Sequence, residues 1–190
     1  MNSKKRKILI CGDDPRTASG VGTQLKYIAE GLIKKGFEII VIGGIRKRHP
    51  GDDKPTMWNG IKIYPVEGYG NPNLLRNILT VERPDGIMLF TDPRYWVWVW
   101  LMEDEIRTEI PILYYNLWDD GPIQPDHYNK NFYKSCDGLI QISKQTNVFM
   151  NNVFKLDEDV ELVPEQRYKD VIDIAHKNAG MSIYRGKNEK

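Results

Sequence analysis

The sequence predicts a doubly wound α/β domain, a mainly parallel sheet with helices on both faces. Three observations predict it. Short apolar runs alternate with amphipathic stretches along the 190 residues, which is the strand and helix order of a parallel sheet. The apolar runs are continuous rather than alternating, as strands buried on both faces require. No internal repeat or low-complexity segment interrupts the order.

The first strand is KILICG, Lys7 to Gly12, and the Lys4-Lys5-Arg6-Lys7 cluster reads as its solvated start. The loop DDPRTASGVGTQ, Asp13 to Gln24, leads into a helix. There Leu25, Ile28, Ala29, Leu32 and Ile33 recur at helical spacing, and Gly36 follows as a stop. FEIIVIGG is a second buried strand. The stretch IRKRHPGDDKPTMWN is polar, and its Pro and Gly mark an exposed loop. IKIYPVE is a third strand, which Pro65 ends early or places at an edge. Asn73 to Glu82 is helical and closes at Pro84. GIMLFTD, PILYYNLWDD and DGLIQIS supply the fourth, fifth and sixth strands, and KQTNVFMNNVF a helix after the last.

The segment YWVWVWLMEDEIRT pulls both ways. Its alternating aromatic and β-branched residues favour a strand. Asp92 can cap a helix, however, Pro93 suits a first helical position, and Glu103, Asp104 and Glu105 follow. A strand here would also leave two consecutive strands without a crossover, so a helix is expected. Its tryptophans read as packing against the sheet or a missing partner, the alternative being a sugar-stacking platform.

Hydrophobic residues make up 41% and charged residues 28%, the balance of a soluble globular chain long enough to bury a core without staples. The net charge of +1 supplies no field that would favour nucleic acid or an anionic membrane. Cys11 and Cys136 each lie at the edge of an apolar run, so they read as reduced, partly buried thiols rather than a disulfide or metal pair. Ile8 to Cys11 is too short for a signal-peptide core, and no run approaches a membrane span. A cytoplasmic location is therefore expected.

In an open parallel sheet, ligands gather outside the carboxyl ends of the strands, near a topological switch point. Asp13, Asp14 and Ser19-Gly20-Val21-Gly22-Thr23 follow the first strand, and Gly43 and Gly44 close the second. Thr91, Asp92 and Arg94 follow the fourth. Asn116, Trp118, Asp119 and Asp120 follow the fifth, with His127 further on, and Ser143 and Lys144 follow the sixth. The first cluster has a mechanism for phosphate: glycines admit a close backbone approach, and the amides opening a helix attract an anion. A tight turn with no ligand would also favour glycine. Gly20 and Gly22 give G-x-G, but Leu25 stands at the third fingerprint position and no acid closes FEIIVIGG, which argues against a dinucleotide site. Without G-K-[ST] there is no P-loop.

His127 is a candidate general base, with Asp119 or Asp120 orienting it or binding sugar hydroxyls. The alternative is a solvated polar loop, WDDGPIQPDHYN. His49 and His176 read as solvated. Asp157-Glu158-Asp159 has the D-x-D pattern of metal-assisted nucleotide-sugar enzymes, but it precedes a strand-like VELVP instead of following a strand, so it reads as chance. No spacing suggests zinc, and no Ser-His-Asp elbow is present.

In order, KILICGD, SGVGTQLKYIAEGLIKKGFEIIVIGG, PDGIMLFTDPR, IPILYYNLWDD and SCDGLIQISKQTNVFM resemble the start of GT-B glycosyltransferases, especially the retaining family 4 type. In that family a first strand leads through a GG or SGVG loop into a helix, followed by an L…GHEV.V pattern that GLIKKGFEIIVI matches. The resemblance runs from about residue 5 to residue 164. It implies a Rossmann-like, acceptor-binding amino-terminal half over residues 1–164, and a carboxyl-terminal helix and tail over 165–190. The first loop of such enzymes lies near donor phosphate and acceptor. The implied binding set is Ser19, Gly20, Val21, Gly22 and Thr23, with Asp92 and Ser143 at later strand ends. Asp119, Asp120 and His127 are the catalytic candidates. No metal is expected for catalysis, and the nucleotide-sugar enters as substrate.

The family's second domain binds most of the nucleotide and carries paired basic residues and E-x7-E acids. Here LVPEQ stands where the family writes VPNG or VPHG, and only RYKDVIDIAHKNAGMSIYRGKNEK follows. The expectation is a chain lacking that domain, with a helix over Tyr168 to Asn178 packing back on the sheet. The implied function is a glycosyltransferase, or its acceptor-binding half, with little or no activity alone. The alternative is a non-catalytic sugar or nucleotide-binding module completed by a partner chain. A different Rossmann-like enzyme, an epimerase or methyltransferase, is disfavoured by the missing acid.

Overall fold

A computed structural model of the chain describes residues 5–44, 54–117, 130–147 and 150, and the backbone of 182–183. The continuous apolar runs form strands as expected. β1 (Lys7–Asp13) leads through the first loop into α1 (Gly20–Lys34), capped by Ser19, and β2 (Glu38–Gly44) follows. Gly36 takes a φ of +91° just beyond α1, the left-handed turn at which glycine carries no steric penalty.

The next segment corrects the reading of an uninterrupted polar loop. Thr56–Trp58 forms β3, antiparallel to β4 (Ile61–Pro65). Asn59 and Gly60 link them with φ of 48° and 79°, the backbone of a tight hairpin turn. β4 stops at Pro65 as expected, but β3 pairs with its outer side and removes it from the edge.

α2 (Pro72–Glu82) begins at an Asn71 cap, whose side chain accepts from the Leu74 amide at 3.0 Å, and ends at Arg83 in a left-handed conformation ahead of Pro84. After β5 (Gly86–Leu89), the aromatic segment is helical but not one helix. It forms a 3-10 turn (Pro93–Trp96), then α3 (Val97–Trp100) and α4 (Glu103–Arg107). Asp92 caps the first piece through the Arg94 amide. β6 (Ile112–Asn116), α5 (Lys130–Lys134) and β7 (Gly138–Gln141) follow. Residues 144–147 and 150 are helical. β8 (Ser182–Ile183) pairs antiparallel with β7. The proposed helix over Tyr168 to Asn178, and His49, His176 and Asp157 to Asp159, lie outside the described residues.

The strands form one sheet in the order β3-β4-β2-β1-β5-β6-β7-β8, parallel throughout except at the β3/β4 and β7/β8 margins. The fold is thus α/β with a mainly parallel sheet. Alternate residues of β1 enter two separate cores, because side chains along a strand point to opposite faces. Leu9 and Cys11 join residues of α2 to α5, including Leu75, Ile78, Trp96, Ile106 and Tyr133. Ile8 and Ile10 join Leu25, Ile28, Ala29 and Leu32 of α1. Each such aliphatic side chain contributes about 1.5–3 kcal/mol relative to exposure. Cys11 and Cys136 are free thiols in the core, more buried than expected, and burial pushes both far above the ordinary thiol range.

At the amino-terminal end of the sheet, the buried Glu82 carboxylate accepts from Lys62 Nζ at 2.5 Å, from Lys7 Nζ at 3.3 Å and from the Tyr64 hydroxyl. This network holds the end of α2 to β1 and β4 and leaves the opposite end of the sheet for chemistry.

Candidate functional site

The strand order creates a switch point. From β1 the chain moves outward through β2 to β4, then returns to β5 on the other side of β1. The loops after β1 and β5 therefore diverge, and the crevice between their carboxyl ends is where open α/β sheets bind ligands. Asp13 ends β1, and Thr91 and Asp92 follow β5.

The first loop is held from within. The Ser19 hydroxyl accepts from the Gly22 amide at 2.9 Å and donates to Asp13 Oδ2 at 2.6 Å. Asp14, fully buried, is clasped by Arg16, whose Nε reaches Oδ1 at 2.8 Å and whose Nη2 reaches Oδ2 at 2.5 Å. Arg16 also donates to Thr56 Oγ1 at 3.2 Å, tying the loop to β3. The Asp14 amide donates to the Gly44 carbonyl at 2.9 Å, which fixes the loop to the end of β2.

The two glycines serve different ends. A Cβ at Gly22 would lie 2.9 Å from the Thr17 carbonyl oxygen and 3.0 Å from that of Asp14, so the turn itself demands glycine. A Cβ at Gly20 would meet nothing within 4 Å. Gly22 and Thr23 donate to Ser19, whereas the amides of Gly20 and Val21 have no acceptor among the described residues. These are the orphan donors that every helix start presents, here at the positive end of the α1 dipole. The Thr17 hydroxyl in the same loop is buried without a hydrogen-bond partner.

Tyr69, from the loop after β4, crosses to the switch point and donates to Asp13 Oδ1 at 3.2 Å. Burial and the Asp13 carboxylate raise its phenol well above the ordinary value, so Tyr69 remains a donor at neutral pH. Its ring stacks on Tyr95 with centroids 4.5 Å apart and planes 17° apart. Tyr95 belongs to the turn capped by Asp92, and its amide donates to the Asp92 carbonyl at 3.1 Å. The Asp92 carboxylate pairs with Arg94, with Nε 3.0 Å from Oδ1. Thr91 takes a φ of 74°, unusual for a β-branched residue and costing about 1–3 kcal/mol. Its carbonyl is fixed by the Tyr114 hydroxyl at 2.6 Å.

The expected binding residues are therefore only partly brought together. Ser19, Gly20, Val21, Gly22 and Thr23 form one helix start, and Asp13, Tyr69 and Tyr95 link it to the Asp92 turn. Ser143 stands apart, beyond β5 and β6, where its hydroxyl accepts from the Thr146 amide at 3.1 Å and caps the helix after β7. Near it, Asn116 donates to Gln141 Oε1 at 2.8 Å, while Gln141 Nε2 is buried without a partner. Asp119, Asp120 and His127, with Trp118, lie outside the described residues. Tyr69 and Tyr95 were not anticipated. Tyr69 sits between Gly68 and Gly70, both at positive φ, and that G-Y-G triplet is the signal that could have found it.

Among the described residues, Asp13, Asp14 and Asp92 all accept from neighbouring side chains. The unpaired groups among the described residues of the loop include the Gly20 and Val21 amides and the buried Thr17 hydroxyl. This arrangement suits binding an anion. No cluster of three or more His, Cys, Asp or Glu able to hold a metal occurs among the described residues, and no described helix is long and apolar enough to cross a membrane. In comparisons with known proteins, no family model matches this chain, and no curated protein matches it.

Proposed function

We propose that this domain is the acceptor-binding, amino-terminal half of a GT-B type glycosyltransferase, doubly wound and Rossmann-like, acting in the cytoplasm on a nucleotide-sugar and an acceptor. The observation that carries the reading is the start of α1. Two amides without acceptors among the described residues stand at the switch point, on a loop whose Asp13, Asp14 and Ser19 side chains are bound internally. The strand order β4-β2-β1-β5-β6-β7 supports this reading, because it follows the 3-2-1-4-5-6 pattern that doubly wound nucleotide-binding folds use. The order of motifs from KILICGD to SCDGLIQISKQTNVFM adds the family.

In this reading the Gly20 and Val21 amides meet the donor diphosphate, where fixed dipoles stabilise charge as the leaving group departs. Ser19 and Asp13 hold that helix start in place. A second domain or chain would bind most of the nucleotide and complete the catalytic groups, together with Asp119, Asp120 and His127. The engagement of Asp13, Asp14 and Asp92 by neighbouring side chains favours a second reading, a non-catalytic binding module.

Thermal shift tests the proposal. Nucleoside diphosphates and nucleotide-sugars at millimolar concentration are expected to raise Tm, since a ligand at ten times its Kd adds about 1.4 kcal/mol to the folded state. Gly20→Leu places a side chain in open space, so it should keep the fold and lose the shift. If no nucleotide raises Tm, or Gly20→Leu responds as the wild type does, the phosphate reading fails. The binding-module reading is separated by supplying the donor and assaying transfer: binding without transfer in the presence of the completing half supports it.

A further inference from the structure

We propose that Tyr95 is the platform on which a pyranose ring of the acceptor stacks, so that the acceptor is a carbohydrate or glycoside. This inference rests on the transferase reading above and names its acceptor class. Tyr95 is the outer end of an aromatic column. Its ring stacks on Tyr69 at 4.5 Å, Tyr69 meets Trp96 edge-on at 5.3 Å, and Trp96 lies 6.2 Å from Trp98. Trp96 is fully buried, whereas Tyr95 is 49% exposed. One face of the outer ring is covered by Tyr69.

The mounting is rigid and stands at the switch point. The Asp92 cap, Pro93 and the indole of Trp96, which donates to the Phe90 carbonyl, fix the turn that carries Tyr95. Tyr69 ties that turn to Asp13, and Asp13 to Ser19 at the start of α1. Tyr95 is thereby linked through Tyr69 and Asp13 to the helix start assigned to donor phosphate, at the switch point. A pyranose matches these surroundings in both its parts. Its axial C–H face is apolar and covers an aromatic ring, and its equatorial hydroxyls stay in water, within reach of the Asp92–Arg94 pair of the same turn. The pair offers an acceptor and donors side by side, the combination that vicinal hydroxyls bind.

The test uses the full chain, with methyl hexopyranosides and their disaccharides as probes in ligand-observed NMR. Titrations compare the wild type with Tyr95→Phe, Tyr95→Leu and Tyr95→Ala. Contact through the C–H protons of the sugar is expected, retained in Tyr95→Phe and weakened roughly tenfold in Tyr95→Leu and Tyr95→Ala. Tyr95→Leu keeps an apolar cover on Tyr69, so it distinguishes loss of stacking from loss of folding. Unchanged binding in Tyr95→Leu overturns the proposal. So does Tyr95-dependent binding of free nucleosides without any glycoside binding, which would make the ring a nucleobase platform. A Tm shift with nucleoside diphosphate but no glycoside contact defeats this inference and leaves the transferase reading standing. Absence of both defeats the two together.

Discussion

At the scale of single residues, the first loop separates two uses of glycine that look alike in the sequence. Gly22→Ala forces a Cβ against backbone oxygens of Thr17 and Asp14, and should destabilise by about 1–3 kcal/mol. Gly20→Ala meets open space and restricts only the unfolded chain, so it should stabilise by about 0.4–1 kcal/mol. Urea denaturation of the two variants checks the contrast, and equal effects would refute it. Glu82 gives a second prediction at this scale. Burial raises its pKa, but hydrogen bonds from Lys62, Tyr64 and Lys7 outweigh burial and bring it down to about 2. A carboxylate whose pKa falls on folding stabilises above its unfolded value near 4.5, and that stabilisation is lost as pH falls toward 2. The loss is on the order of 3 kcal/mol. Urea midpoints measured from pH 6 to pH 2 should fall steeply for the wild type and more gently for Glu82→Gln, which starts lower because Lys62 loses its carboxylate partner and Lys7 one of its two. Parallel curves would show that the network does not carry the acid dependence.

At the scale of elements, caps and periodicity were legible and pairing was not. Ser19, Asn71 and Asp92 act within a few residues of themselves, so their helix starts could be read locally. In the aromatic segment, Trp96, Val99 and Trp100 are buried while Val97 and Leu101 are exposed, the pattern of a helix face and not of alternating strand faces. The indole N–H of Trp100 donates to the Pro93 carbonyl at 3.0 Å, and that of Trp96 to Phe90, so burying both rings leaves no donor unpaired. Trp96→Ala should therefore cost about 3–5 kcal/mol, and Leu101→Lys should stay within about 0.5 kcal/mol of wild type. A strand-like segment would reverse neither value alone, but a large loss in Leu101→Lys would contradict the exposed position. The hairpin β3/β4 was missed although Asn59-Gly60 announces it, because the polar residues upstream dominated the reading of that stretch.

At the scale of the whole molecule, the chain by itself is expected to bind without turning over. Incubated with nucleotide-sugars and acceptor glycosides, it should release no free nucleoside diphosphate above background, and robust release would overturn the proposal that this domain only binds. The sequence by itself determined the six parallel strands, most of the helices and the parallel α/β class. All of these follow from apolar runs, caps and turn residues that act over a few positions. Only the tertiary structure decided that β1 lies beside β5, that Tyr69 reaches Asp13 from 56 residues away, and that Tyr95 stacks above it while Ser143 stands apart. Such contacts depend on the order in which strands pair. That order is chosen by the packing of the whole sheet and its two cores, and no local periodicity encodes it.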